Sequence, residues 1–285
     1  MEKQIQIADH TLTYETFPGP TDRIFLLLNG WTSMRFFWTP ILPFFQKFGT
    51  CITLDLPGHF PAVAPKSFKS FSPEQIVDIQ LEFIQSILPQ KSRITLVGHS
   101  TGGFVAIALL LRNLDFVNEC ILISPVVHGP VKGPLWPIKM AYEHNLGGLM
   151  STTIGLFSQI PNAMEIFFRL GIHNIDSFLK EPQNKEYLSK YQELFQKMDF
   201  ETMGEYLLML DRSDLRPYLP KVSTPTLFLH GKEDKIVPIR QSIEAQGLIP
   251  NSKIQIFEHS GHIPIFEERE KAEKILEDFL RTSEN

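Results

Sequence analysis

The sequence predicts an α/β protein: a mostly parallel, eight-stranded sheet flanked by helices, with a helical segment inserted late in the chain. Three observations carry this expectation. Short, continuously apolar runs such as Arg23-Ile-Phe-Leu-Leu-Leu-Asn29 read as strands buried on both faces. These runs alternate with longer stretches of helical period, the rhythm of strand–helix–strand units. That rhythm breaks between about Pro130 and Leu219, where no buried strand is legible and Gly147-Gly148, Pro161 and Pro182 separate amphipathic helical stretches.

Taken in order, Gln4–Ile7 and Leu12–Phe17 form a polar-to-apolar hairpin, and Arg23–Asn29 is the first buried strand. Phe37–Phe48 is expected to be a helix despite Pro40 and Pro43, and Thr50–Leu56 is the next strand. Ser72, Pro73 and Glu74 supply an N-cap, a first-turn proline and an early acid, so a helix runs from there to about Leu88. Arg93–Val97 is a strand and Ser100–Arg112 a helix rich in small residues; Cys120–Ile123 and Pro225–His230 are strands. Ser242–Gly247, Lys253–Phe257 and Phe266–Leu280 close the chain as helix, strand and helix. The expected division is a core of residues 1–129 and 220–285 with a helical cap of residues 130–219.

Composition narrows the function classes. With 43% apolar and 21% charged residues the chain has the material for a large core. A net charge of −5, with no basic stripe, argues against a nucleic-acid partner. Polar residues interrupt every apolar stretch before the ~20 residues of a membrane span. The start, MEKQIQIADH, lacks the apolar region of a secretory signal. Cys51 and Cys120 each open an apolar run, so both are expected as small buried side chains on strands and not as zinc ligands. A cytoplasmic protein with no metal and no cofactor is the expectation.

The chemistry is concentrated at strand ends. Ile94-Thr-Leu-Val-Gly98-His99-Ser100-Thr101-Gly102-Gly103 is a buried strand, then G-x-S-x-G, then a helix. A serine lifted clear of the backbone at such a turn is a nucleophile candidate, with glycines where neighbouring backbone passes closely. It needs a base and an orienting acid. Asp234 follows the Pro225–His230 strand, and His262 follows the Lys253–Phe257 strand in Glu-His-Ser-Gly261-His262. Each candidate lies past the C-terminal end of a strand, where ligands bind in open α/β sheets. Rivals are His259 for the base and Glu233 for the acid; His230, His99 and His128 also lie near strand ends, by default as packing or hydrogen-bonding residues.

These motifs resemble the α/β-hydrolase fold of serine hydrolases over nearly the whole chain outside the insertion. The Asp loop, Gly231-Lys-Glu-Asp234-Lys-Ile-Val-Pro238, and the His loop, Gly261-His262-Ile-Pro-Ile-Phe-Glu267, carry the likeness. The resemblance implies Ser100 as nucleophile, His262 as base and Asp234 as its orienting acid. It implies an oxyanion hole from the backbone amides of Thr101 and Trp31, with Asn29 standing where the family usually has histidine. The turn Asp55-Leu-Pro-Gly58-His59-Phe60-Pro61-Ala62 departs from the family's Asp-x-x-Gly-x-Gly-x-Ser at Phe60 and Ala62 and is read as structural. Candidate substrate contacts are Trp31, His99 and, from the cap, Trp136, Phe157 and Phe167.

The implied activity is hydrolysis of small carboxylic esters with an apolar acyl or alcohol part. Asp214-Leu-Arg-Pro-Tyr-Leu-Pro and the short cap resemble the pimeloyl-carrier-protein methyl ester esterases of biotin synthesis, which implies an acyl-carrier protein as an alternative partner. Carbon–carbon bond cleavage by the same three residues, or ligand binding without catalysis, are the other readings.

Overall fold

The computed structural model describes residues 2–65, 72–88 and 92–282. The chain opens with a hairpin of β1 (Glu2–Ile7) and β2 (His10–Phe17), then β3 (Arg23–Leu28), a 3-10 turn at Arg35–Trp38 and α1 (Leu42–Gln46). β4 (Thr50–Asp55), α2 (Pro73–Ile87), β5 (Arg93–His99), α3 (Thr101–Leu110) and β6 (Val117–Ile123) follow. Then come α4 (Trp136–Glu143), α5 (Gly147–Ser158), α6 (Ala163–Phe168), α7 (Ile175–Phe178), α8 (Pro182–Phe195) and α9 (Phe200–Arg212). The last elements are β7 (Thr226–Gly231), α10 (Arg240–Leu248), β8 (Ser252–Phe257), α11 (Pro264–Glu267) and α12 (Arg269–Thr282).

The eight strands form one sheet in the order β1-β2-β4-β3-β5-β6-β7-β8. β2 runs antiparallel to both its neighbours, and every pairing from β4 to β8 is parallel. The continuously apolar runs lie in the middle of this sheet because helices cover both faces: Phe25, Leu26, Leu27 and Leu28 of β3 are fully buried. Cys51 on β4 and Cys120 on β6 are buried free thiols, and burial pushes the Cys51 thiol up to about 12. α2 starts at a capping box, where the Ser72 hydroxyl accepts from the Gln75 amide at 3.2 Å and the Gln75 side chain accepts from the Ser72 amide at 3.0 Å.

Two expected helices are corrected. Phe37–Phe48 is not one helix: Pro40 lacks the N–H needed to continue the first turn, and Pro43 sits at the start of α1, where a missing N–H costs nothing. The closing helix is split at Glu268, whose φ and ψ of −122° and 54° leave helical geometry. At the break, the Glu267 and Glu268 carboxylates accept amides of the His262 loop, Gly261 N–H at 2.8 Å and His259 N–H at 3.1 Å. The segment between β6 and β7 holds helices and 3-10 turns and no strand among its residues.

Candidate active site

The turn from β5 into α3 places Ser100 at φ 53° and ψ −115°, a conformation that costs a non-glycine residue about 1–3 kcal/mol. The flanking glycines are explained by close approach. A Cβ on Gly98 would lie 2.5 Å from the Gly102 carbonyl oxygen, and one on Gly102 would lie 2.1 Å from the Leu28 carbonyl oxygen. Ser100 is held from the neighbouring strand, its amide donating to Ile123 O at 3.0 Å and its carbonyl accepting from Val126 N at 3.1 Å.

Asp234 follows β7 with its side chain fully buried. Oδ1 accepts the amides of Ile236 and Val237 at 2.8 and 3.0 Å. Oδ2 accepts His262 Nδ1–H at 2.7 Å and lies 3.1 Å from His230 Nε2. Burial opposes the charge on Asp234, but His262 and His230 outweigh it and hold the carboxyl well below the usual range. Because a carboxylate only accepts, Nδ1 of His262 carries a proton, so in the neutral ring the lone pair lies on Nε2. Ser100 and His262 line one small cavity of about 60 Å³ together with Trp31, Phe167 and Tyr191.

Two further histidines adjoin this group: His99, which also lines the small cavity, and the fully buried His230. The His99 ring is stacked on Phe37 at 4.6 Å, and its Nε2–H donates to the His262 carbonyl at 3.2 Å. Burial, reinforced by the neighbouring His262, lowers its pKa far below the usual value, so it is neutral. The fully buried His230 ring joins Asp234 to Val237 O at 3.0 Å and to Ser242 Oγ at 2.6 Å. His259 and Glu233, the rivals, are exposed, and neither side chain reaches the Asp234–His262 pair.

The loop after β3 is fastened from both sides. The Asn29 side-chain amide donates to Ser33 O, and Ser33 N–H donates to Gly30 O at 3.0 Å. The Tyr191 hydroxyl on α8 donates to Thr32 O at 2.8 Å, and the Trp31 indole donates to Met203 O on α9 at 2.8 Å. Among the described residues, neither the Trp31 nor the Thr101 backbone N–H has an acceptor. Asn29 thus closes the loop through its side-chain amide.

The expected cap contacts divide. Phe167 lines the small cavity; Trp136 and Phe157 line neither it nor the larger lobe beside Ser100. Trp136 is 50% exposed, and Phe157 is half-buried against the core. Several contacts were illegible in the sequence. Gly171 O accepts the His262 amide at 2.6 Å, and the Glu267 carboxylate bridges Gly261 N–H and His173 N–H at 2.8 and 2.7 Å. A Cβ on Gly261 would meet Gly171 O at 2.2 Å, which is the reason for the glycine before His262.

A family model described as alpha/beta hydrolase fold matches residues 23–269. A monoacylglycerol lipase of Xenopus laevis is 24% identical over 266 residues, covering 90% of this chain and 74% of the relative. A pimeloyl-[acyl-carrier protein] methyl ester esterase of Nitrosomonas europaea is 28% identical over 247 residues, 84% of this chain and 88% of the relative. The solved structure of an esterase from Exiguobacterium antarcticum superposes with a TM-score of 0.79 at 21% identity, covering 99% of this chain and 100% of that one.

Proposed function

The chain belongs to the alpha/beta hydrolase fold family, and from that premise we propose that it is a serine hydrolase of carboxylic esters. The observation that carries the proposal is the 2.7 Å contact of Asp234 with His262 Nδ1, in a histidine that lines one cavity with Ser100. In this reading His262 Nε2 takes the Ser100 hydroxyl proton as Oγ attacks the ester carbonyl. Asp234 holds the imidazole in the tautomer that accepts that proton and stabilises the imidazolium that results. The free N–H groups of Trp31 and Thr101 receive the developing oxyanion. His262 returns the proton to the leaving alcohol, then activates the water that hydrolyses the acyl-enzyme. The helical segment 130–219 acts as the cap, with Phe167 and Tyr191 closing the small cavity over Ser100.

The test is labelling with a fluorophosphonate and turnover of p-nitrophenyl butyrate. Ser100→Ala should abolish both while leaving the circular dichroism spectrum unchanged. Labelling at a different serine would overturn the assignment. A narrower reading, cleavage of a pimeloyl methyl ester carried on an acyl-carrier protein, is supported by the similarity to the Nitrosomonas europaea esterase. It requires kcat/KM for the carrier-bound methyl ester to exceed that for the free methyl ester.

A further inference from the structure

Ser100 stands where two lobes of the cavity meet. Trp31, Ser100, Leu135 and Ile236 line both the small lobe and a larger one of about 380 Å³. Apolar side chains such as Val126, Val131, Leu207 and Leu210 line the larger lobe only, and so does a second, different set: Lys132, Arg216, Arg240 and Glu244. Arg216, Arg240 and Glu244 belong to one cluster. Glu244 contacts Arg240 Nε at 2.5 Å, Arg216 Nη1 at 3.5 Å and His128 Nε2 at 3.6 Å. With side-chain exposures of 85% for Arg240, 40% for Arg216 and 28% for Glu244, the cluster forms the solvent end of the lobe.

The charge there opposes that of the chain. The protein carries −5 overall, whereas this lining has three permanent cations and one carboxylate, or +2. Asp214, outside the lining, grips Arg216 through Nε and Nη2 at 2.9 and 2.7 Å and brings the local sum to +1. Lys132 has no hydrogen-bond or ion-pair partner among the described residues. Gln241 uses its Oε1 on the amides of Val127 and His128 at 2.8 and 3.2 Å, which leaves its NH2 donors unengaged. Arg240 and Gln241 also open α10, so the positive end of that helix faces the lobe.

We propose that the solvent end of the larger lobe is a subsite for an anionic group at the far end of the substrate, so that half-esters, with one ester and one carboxylate or phosphate terminus, are preferred over neutral esters of equal length. The inference rests on the reading of Ser100 as nucleophile. The reacting ester lies at the junction, the apolar stem in the lobe, and the anion among Lys132, Arg216, Arg240 and the Gln241 amide. Partly exposed charge contacts are each weak and screened by salt, so the expected preference is about tenfold at low ionic strength, falling in 0.5 M salt, an ionic strength of about 0.5 M. It should appear mainly in KM, because the contact is the same in the ground and transition states.

The probes are p-nitrophenyl hexanoate and mono-p-nitrophenyl adipate, which share the acyl length and the leaving group and differ in the terminal carboxylate. The adipate-to-hexanoate ratio of kcat/KM should be about ten for the wild type. It should fall to near or below one when Lys132→Gln, Arg216→Gln and Arg240→Gln are combined, and it should rise in Glu244→Gln. Both esters are measured on each variant, so partial misfolding cancels in the ratio. A wild-type ratio at or below one, or a ratio unchanged in the triple variant, overturns the subsite. If neither ester is hydrolysed, or Ser100→Ala hydrolyses both, the serine hydrolase reading fails and the subsite with it.

Discussion

Asp234→Asn tests the site most sharply, because the hydrogen bonds around the carboxylate dictate how the amide must lie. Oδ1 accepts two main-chain amides at 2.8 and 3.0 Å, so the asparagine oxygen is bound to that side. Its NH2 group then occupies the Oδ2 position, facing His262 Nδ1 at 2.7 Å and His230 Nε2 at 3.1 Å. Two donors cannot face one another, so His262 must move its proton to Nε2 and lose the lone pair that accepts the Ser100 proton. In a well-studied protease triad the same tautomer change costs about four decades in kcat, or roughly 5.5 kcal/mol at 1.36 kcal/mol per decade. A loss of about 10³–10⁴ in kcat is expected here, with KM little changed. The buried mismatch at His230 should also cost about 1–3 kcal/mol of stability, visible as a fall in Tm. The assay is p-nitrophenyl ester turnover at pH 7.5 beside a thermal melt, with Glu233→Gln as the exposed comparator that should retain wild-type rates. A rate within tenfold of the wild type would refute the role given to Asp234.

Three other outcomes are expected. Ser100→Gly should relieve about 1–3 kcal/mol of backbone strain against about 0.4–1 kcal/mol lost to unfolded-chain freedom, so it should melt above Ser100→Ala, which keeps the Cβ; a lower Tm for the glycine variant would contradict the strain. Phe167→Ala should change the acyl chain-length profile of kcat/KM, whereas Trp136→Ala should leave the profile's shape intact; equal effects would mean that neither ring reads the substrate. The folded pKa of Asp234 lies below its unfolded value, so its stabilising contribution is complete above about pH 4 and disappears only as the pH falls through the folded value. Acid unfolding followed by fluorescence should therefore show the Tm gap between wild type and Asp234→Asn constant from pH 5 to 8 and narrowing below pH 4.

The parts of this protein that were legible in the sequence are those where one local rule dominates. The buried strands β3 to β7 carried short apolar runs, interrupted by Thr53 in β4 and Thr95 in β5, and G-x-S-x-G between a strand and a helix marked the Ser100 turn because backbone crowding excludes a Cβ at Gly98 and Gly102. One helix boundary failed at the local breakers Pro40 and Pro43, the other where side chains of the helix bond to the preceding loop in competition with local propensity. Phe266–Leu280 has a continuous helical period, yet the chain breaks at Glu268, where two adjacent carboxylates serve the His262 loop. Nothing local distinguishes Phe157 from Phe167 either: both are aromatics on helices of the segment between β6 and β7. Which of them meets the cavity depends on how α5 and α6 pack, information held in tertiary contacts.

Those same contacts change what the helical segment is for. Read from the sequence it is a lid added to a finished site, but its atoms complete the two loops on which the proposed chemistry depends. Gly171 O takes the His262 amide, His173 N–H shares the Glu267 carboxylate with the His loop, and Tyr191 and Met203 fix Thr32 and Trp31 beside the free amides. Below them, the Tyr206 hydroxyl donates to Pro57 O at 3.2 Å, and Gly58 is packed so tightly under α9 that a Cβ would meet Thr202 at 2.4 Å. A substitution that shifts α8 or α9 therefore moves the loop that carries the proposed oxyanion donor as well as the pocket wall, and one that shifts Gly171 or His173 moves the histidine loop. Tyr191→Phe isolates the effect. It keeps the ring packing against Phe168 and Phe195 but removes the 2.8 Å bond to Thr32 O and the 3.2 Å contact with Ser33 Oγ on the same loop, so kcat should fall for every acyl length alike, by about tenfold if a loss of about 1–1.5 kcal/mol is felt at the proposed oxyanion amide. A change confined to long acyl chains, with acetate unaffected, would mean that the segment shapes the pocket and leaves the oxyanion loop to hold itself.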